Sequence, residues 1–190
     1  MTSVKMKERP ILMSTPMIRA ILSGTKTQTR WVLRKQSPPG AKRHCWFNAP
    51  VYGFTAEDEP ASDWWTIRCP YGRPGDRLWC KETFGRCPEA PDGIVYRADW
   101  TLEDEQSEIR DWRWMSSLFM PRQASRITLE ITEVRVERVA SISLDDCEAE
   151  GRAGIVEFMQ HWDRINGARP GCSWADNPWC WAISFRRIEV

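Results

Sequence analysis

The sequence is short of histidine and tyrosine, with two and three residues among 190, and it is short of any charge excess, with 27 basic against 26 acidic residues. Two histidines leave little for an imidazole-rich metal site. A net charge of +1 excludes a protein whose whole surface attracts duplex nucleic acid, so contact with such a polymer has to be local. An apolar run of about eighteen residues, the length a membrane span needs, is also lacking, and no membrane partner is expected. The opening residues MTSVKMKERP carry no apolar core of the kind a secretory leader has, and the expected compartment is the cytoplasm. The seven cysteines are odd in number and irregularly spaced, which excludes a secreted disulfide framework and points to reduced thiols. His44, Cys45, Cys69, Cys80 and Cys87 could be grouped as zinc ligands, but no pair has the short knuckle spacing that presets a tetrahedral site, so no metal and no cofactor is expected.

Tryptophan, by contrast, is abundant, with twelve residues. Trp79, Trp179 and Trp181 fall in strand-like patterns and Trp162 on a helical face, where packing explains them. Trp64, Trp65, Trp112 and Trp114 lie in irregular or polar stretches, where a stacking platform or an interface is the better reading. A chain of this length fits one domain.

Thr15 to Gly24 reads as a short helix, with Pro16 in its first turn and Gly24 as its stop. The basic, β-branched TKTQTRWVLR that follows reads as a strand. Residues 35–70 and 85–120 are irregular and read as insertions. Between them, PGDRLWCKETF gives a turn and an alternating strand, with Leu78, Cys80 and Glu82 on one face and Arg77, Trp79 and Lys81 on the other. Ile127 to Val139 is a strand whose apolar phase slips near Thr132 or Glu133, as a bulge would make it. Ser143 with Asp146 forms a capping box for a short helix that ends at Glu150 and Gly151. Ile155 to Asn166 has helical spacing of Ile155, Phe158, Met159, Trp162 and Ile165, predicting a core-facing helix. The closing NPWCWAISFRRIEV alternates as a strand, placed at the centre of the sheet.

The segments ILSGTKTQTR (21–30), RPGDRLWCKE (73–82), ITLEITEVRVERV (127–139), ISLDDCEAEG (142–151) and NPWCWAISFRRI (177–188), in that order, resemble the ASCH domain family. They cover about half of the chain, and the tryptophan-rich version is similar to ASCH proteins of tailed bacteriophages and prophages. The resemblance implies an α+β fold, a small PUA-like β-barrel with flanking short helices, here carrying two irregular insertions. It also implies a nucleobase or nucleic acid as the partner. Small bacterial members hydrolyse the acetyl amide on the exocyclic amine of cytidine with a lysine, a threonine and a glutamate, which match Lys26, Thr29 and Glu150.

That chemistry has physical sense. A threonine hydroxyl becomes a nucleophile when a base takes its proton, and a lysine can act as the base when burial or a neighbouring cation such as Arg30 lowers its pKa. A carboxylate can then hand a proton to the departing amine. The residue types alone carry blander readings: a cation after a helix C-terminus, good strand threonines, and a solvated helix-end carboxylate. Two other functions stay open. In one, a single-stranded RNA module uses Arg30, Arg34, Arg77, Trp79, Lys81 and Glu82 to hold bases and phosphates. In the other, the protein is an ASCH-type ribonuclease. A modified nucleoside or single-stranded RNA is thus the expected partner, and the sequence leaves the oligomeric state open.

Overall fold

The computed structural model describes residues 6–36, 42–45, 51–55, 65–90, 92–100 and 113–189. A five-stranded sheet organises it, in the order β1 (Glu8–Leu12), β6 (Arg77–Lys81), β9 (Thr128–Arg138), β10 (Trp179–Ile188), β2 (Gln28–Val32). β1 runs parallel to β6 and the other pairs are antiparallel. With the three α-helices of the described residues added, α1 (Thr15–Leu22), α2 (Leu144–Ala149) and α3 (Ile155–Asn166), the fold is α+β as the sequence predicts. The pairing found among the described residues is an open sheet with β1 and β2 at its edges, so closure into a barrel does not come from this set of strands.

The alternation of β10 divides the molecule into two layers. Trp179, Trp181, Ile183 and Phe185 belong to the larger apolar cluster, which includes Leu78 and Cys80 of β6, Leu129, Ile131 and Val136 of β9, and Ile18 and Ile21 of α1. Cys180, one residue out of phase, packs on the opposite face against Cys147 of α2 and Phe158 and Trp162 of α3. α1 therefore covers one side of the sheet and the α2–α3 pair the other, as a period of two in the strand requires. Each fully buried side chain of this size contributes roughly 1.5–3 kcal/mol, which makes β10 the chief organiser of both layers.

Local signals translate directly. Ser143 accepts a hydrogen bond from the Asp146 amide and the Asp146 carboxylate accepts one from the Ser143 amide, closing the capping box of α2. The register between β9 and β10 slips at Ser184 and Phe185, which face Glu133 and Ile131, so Thr132 is the bulged residue. Gly24, at φ +78°, ends α1 in the left-handed conformation that glycine adopts without strain. The stretch read as irregular between residues 35 and 70 carries a small antiparallel sheet of β3 (Lys42–Cys45), β4 (Val51–Thr55) and β5 (Trp65–Arg68). The second such stretch contributes the short hairpin β7 (Phe84–Arg86) and β8 (Ile94–Tyr96), followed by single helical turns. Its polar and proline-punctuated sequence gives short pairings without a sustained period-two pattern, which is why neither set of strands is legible beforehand.

Candidate active site

Three segments meet at the edge strand β2. The turn after α1 is fastened by the Lys26 amide donating to the Ala20 carbonyl (3.0 Å) and the Thr27 amide to the Ala149 carbonyl (2.8 Å), which docks it on the last turn of α2. Lys26 and Glu150 face each other there as an isolated antiparallel bridge. Gly151 makes the approach feasible: its φ is +73°, and a Cβ at this position would lie 3.2 Å from the Ala20 side chain and 3.6 Å from that of Lys26. Residues 26 and 150, more than a hundred positions apart, are thereby brought side by side.

Lys26 is 2% exposed and its ammonium group is fully used. It donates to the carbonyls of Gln28 (2.7 Å) and Glu150 (3.1 Å) and to Glu150 Oε2 (2.6 Å). Burial pushes its pKa down, against the opposing attraction of Glu150. Arg30 is equally committed. Its Nε and Nη2 donate to Glu137 Oε1 at 2.9 and 2.6 Å, Nη2 lies 2.9 Å from Asp146 Oδ2, and Nη1 is shared between Gln28 Oε1 and Glu150 Oε1, the latter at 3.3 Å. Burial works against the charge of Arg30, but Glu150, Glu137 and Asp146 outweigh it and raise its pKa. Asp146 thus has two tasks: it caps α2 and holds the guanidinium, and its own pKa is lowered because Arg30 and its hydrogen bonds overcome burial. The outcome is a Glu150 carboxylate whose two oxygens are gripped by different cations, Lys26 and Arg30.

Glu150, Arg30 and Thr29 line a cavity of about 880 Å³. Its walls are aromatic and aliphatic, with Trp31 and Tyr71 (ring centroids 5.2 Å apart) on one side and Phe158 and Trp162 of α3 on the other. The helix predicted to face the core faces this cavity instead along part of its length: Phe158 and Trp162 are buried, whereas Ile165 is 53% exposed and lines the space. Thr29 is 2% exposed, and its hydroxyl makes no hydrogen bond to Lys26, Arg30 or Glu150. Successive β2 side chains alternate between the faces of the sheet, so Thr29 and Arg30 reach the cavity from opposite sides of an edge strand.

Lys26 stands behind Glu150 and is not among the lining residues. The expected basic cleft divides likewise. Arg34 lines the cavity, but Arg77, Trp79, Lys81 and Glu82 do not. The alternation of β6 turns Trp79 to a face where it lies between Lys81, 5.6 Å from its ring centre, and Arg122, at 6.0 Å. Glu82 is buried on the other face, where Arg126 donates to both of its oxygens at 3.0 and 3.2 Å. Among the other tryptophans offered for stacking, Trp64 and Trp112 and the side chain of Trp65 lie outside the described residues. Trp114 packs edge-on against Trp100, with their ring centroids 5.7 Å apart.

Sequence reasoning missed His161, which lines the cavity from α3. Arg152 Nη2 lies 3.0 Å from its Nδ1 and Arg164 Nη2 2.8 Å from the same atom. Burial, together with Arg152, Arg164 and Lys26, holds its pKa down at about 4, so the ring is neutral at pH 7. Its place in the helical pattern, between Phe158 and Ile165, was the available signal. Cys80 and Cys180 are buried at 1% and 0% exposure, as small hydrophobes within strands. Among the described residues no group of three or more His, Cys, Asp or Glu side chains is arranged to hold a metal ion, and no helix is long and apolar enough to cross a membrane.

No family model matches the chain, and no curated protein matches it. Among solved structures it is similar to the crystal structure of protein EF3133 from Enterococcus faecalis, of the family model DUF984. The TM-score is 0.45 at 10% identity, over 98% of this chain and 82% of that one.

Proposed function

We propose that this protein is an ASCH-type amidohydrolase of the cytoplasm that takes a cytidine-type nucleoside into the cavity and removes an acyl group from its exocyclic amine. One observation carries the reading: a carboxylate held by two buried cations sits on the wall of an aromatic cavity large enough for a nucleoside. The motif order that resembles the ASCH family supplies the reaction class.

In this reading Glu150 accepts the proton of the attacking oxygen and returns it to the leaving nitrogen. A bond forms between that oxygen and the acyl carbon and the C–N bond breaks, releasing the free amine. With water as the nucleophile the other product is the carboxylic acid, and with Thr29 it is a threonine ester that a water molecule then hydrolyses to the acid and free Thr29. Lys26 holds Glu150 in place. With all three of its protons donated, it is a positioning cation and not a free base for Thr29. Arg30 has the same task from the other oxygen. Thr29 and a water molecule are the two nucleophiles such a site can use, and each needs its proton taken.

The test is incubation of the pure protein with N4-acetylcytidine and with a mixed RNA pool, followed by mass analysis. The wild type should release cytidine and acetate and leave RNA length unchanged. Thr29→Ala then separates the nucleophiles: abolished turnover names Thr29, and retention of most of the rate names water. A second reading, a single-stranded RNA module without catalysis, is favoured by the Trp31–Tyr71 pair on the cavity wall, which offers aromatic faces to bases. Binding of RNA with tryptophan quenching and no turnover of acetylcytidine would establish it in place of the first.

A further inference from the structure

We propose that the ligand of this cavity is a phosphorylated nucleoside, its phosphate seated on a cationic rim formed by Arg34, Lys35, Arg68 and Arg169. This rests on the reading above that a nucleoside base enters the cavity. The four side chains come from three separate places, the end of β2, the end of β5 and the segment after α3, yet all line the same space. Each residue is exposed, and none makes an ion pair with a carboxylate among the described residues. Arg169 donates to the side-chain oxygen of Asn166, which also lines the cavity.

The charge distribution decides the class of ligand. Over the whole chain, basic and acidic residues nearly cancel, at 27 against 26. Around this cavity they do not. Among the described residues its single lining carboxylate, Glu150, is already matched by Lys26 and Arg30, and Arg30 is further matched by Glu137 and Asp146. Among the described residues four cations are then left lining one cavity, where they repel one another and where an anion would gain from all of them. A bare nucleoside is neutral and has nothing to place there. A phosphate monoester brings about 1.5 to 2 negative charges at neutral pH and three acceptor oxygens suited to guanidinium donors. Aromatic walls for the base and a cationic mouth for the phosphate thus divide the ligand between two parts of one cavity.

The experiment compares cytidine, cytidine 5′-monophosphate and a short single-stranded RNA with a central cytidine, by calorimetry or tryptophan fluorescence, at low and at high salt. The monophosphate should bind at least tenfold more tightly than cytidine at low salt, and the advantage should shrink as salt rises. In the double variant Arg34→Gln, Arg169→Gln the ratio of the two affinities should fall towards one. An RNA that binds more tightly than the monophosphate identifies the phosphate as that of a strand, and equal or weaker binding identifies it as that of a mononucleotide. Equal, salt-insensitive affinities for cytidine and its monophosphate would overturn the phosphate seat, while leaving the deacylase reading intact if acetylcytidine is still turned over. If neither cytidine nor the monophosphate binds, the nucleoside reading falls and the phosphate seat falls with it.

Discussion

Two carboxylates of this molecule, Glu82 and Glu150, are buried to 1% and 6% exposure, and each is paired with an arginine. Glu82 receives both of its hydrogen bonds from Arg126, which also grips Asp99 and stacks over Tyr96 with its guanidinium carbon 4.0 Å from the ring centre. Burial raises the pKa of Glu82 against the pull of Arg126. It lines neither the large cavity nor the smaller one beside Asp76. Glu150 has two separate cations, one for each oxygen, and a wall of the large cavity in front of it. A buried ion pair is therefore not in itself a site. What separates the two is empty space next to the carboxylate and a charge network that fixes the group without enclosing it.

Substitutions can break this contrast from either end. The largest effect on stability should come from Lys26→Met, which leaves the buried Glu150 with Arg30 alone and should cost about 3–5 kcal/mol, measured by denaturant unfolding. Glu82→Gln keeps the shape and leaves Arg126 its bond to Asp99, so a loss of about 1–3 kcal/mol is expected, with turnover unchanged. A change in turnover comparable to that from Glu150→Gln would erase the distinction between the two carboxylates.

A smaller effect concerns pH. His161 has a native pKa of about 4 against an ordinary value of 6.5. Between these values the unfolded chain holds the extra proton, so stability should fall as pH drops from about 6.5 towards 4. Asp146, with its lowered pKa, adds to the loss in the same direction at lower pH. His161→Gln should flatten the upper part of this slope in thermal melts, and an unchanged slope would mean that His161 is not held neutral by its neighbours.

Much of the scaffold was legible because its signals are local. The β10 alternation, the Ser143–Asp146 capping box, a bulge near Thr132 or Glu133 and the shared face of Leu78, Cys80 and Glu82 each follow from a period or a spacing within a dozen residues, whereas the burial of Glu82 against Arg126 does not. The juxtaposition of Lys26 and Glu150 has no local signature, and only a motif order that resembles a known family pointed to it. Cavity members such as His161, Arg68 and Arg169 were not legible for the same reason. A helical pattern shows that Ile165 shares a face with Phe158, but not that this face opens on a cavity. For Arg77 and Lys81 the alternation of β6 was legible, but not that they stand apart from the large cavity. Which side of a sheet borders a cavity is decided by the elements that cover it, and here the walls include β2, α3, the end of β5 and the junction of β1 with α1.

The central claim is that Glu150, and not Glu82, is the working carboxylate of an acyl-amide hydrolase. It is tested most directly by following N4-acetylcytidine by mass spectrometry with the wild type, Glu150→Gln and Glu82→Gln side by side. The account predicts cytidine and acetate from the wild type, a rate roughly two to four orders of magnitude lower for Glu150→Gln, and a rate close to wild type for Glu82→Gln. A wild type that leaves acetylcytidine intact, or a Glu150→Gln protein that converts it as fast as the wild type, would contradict it.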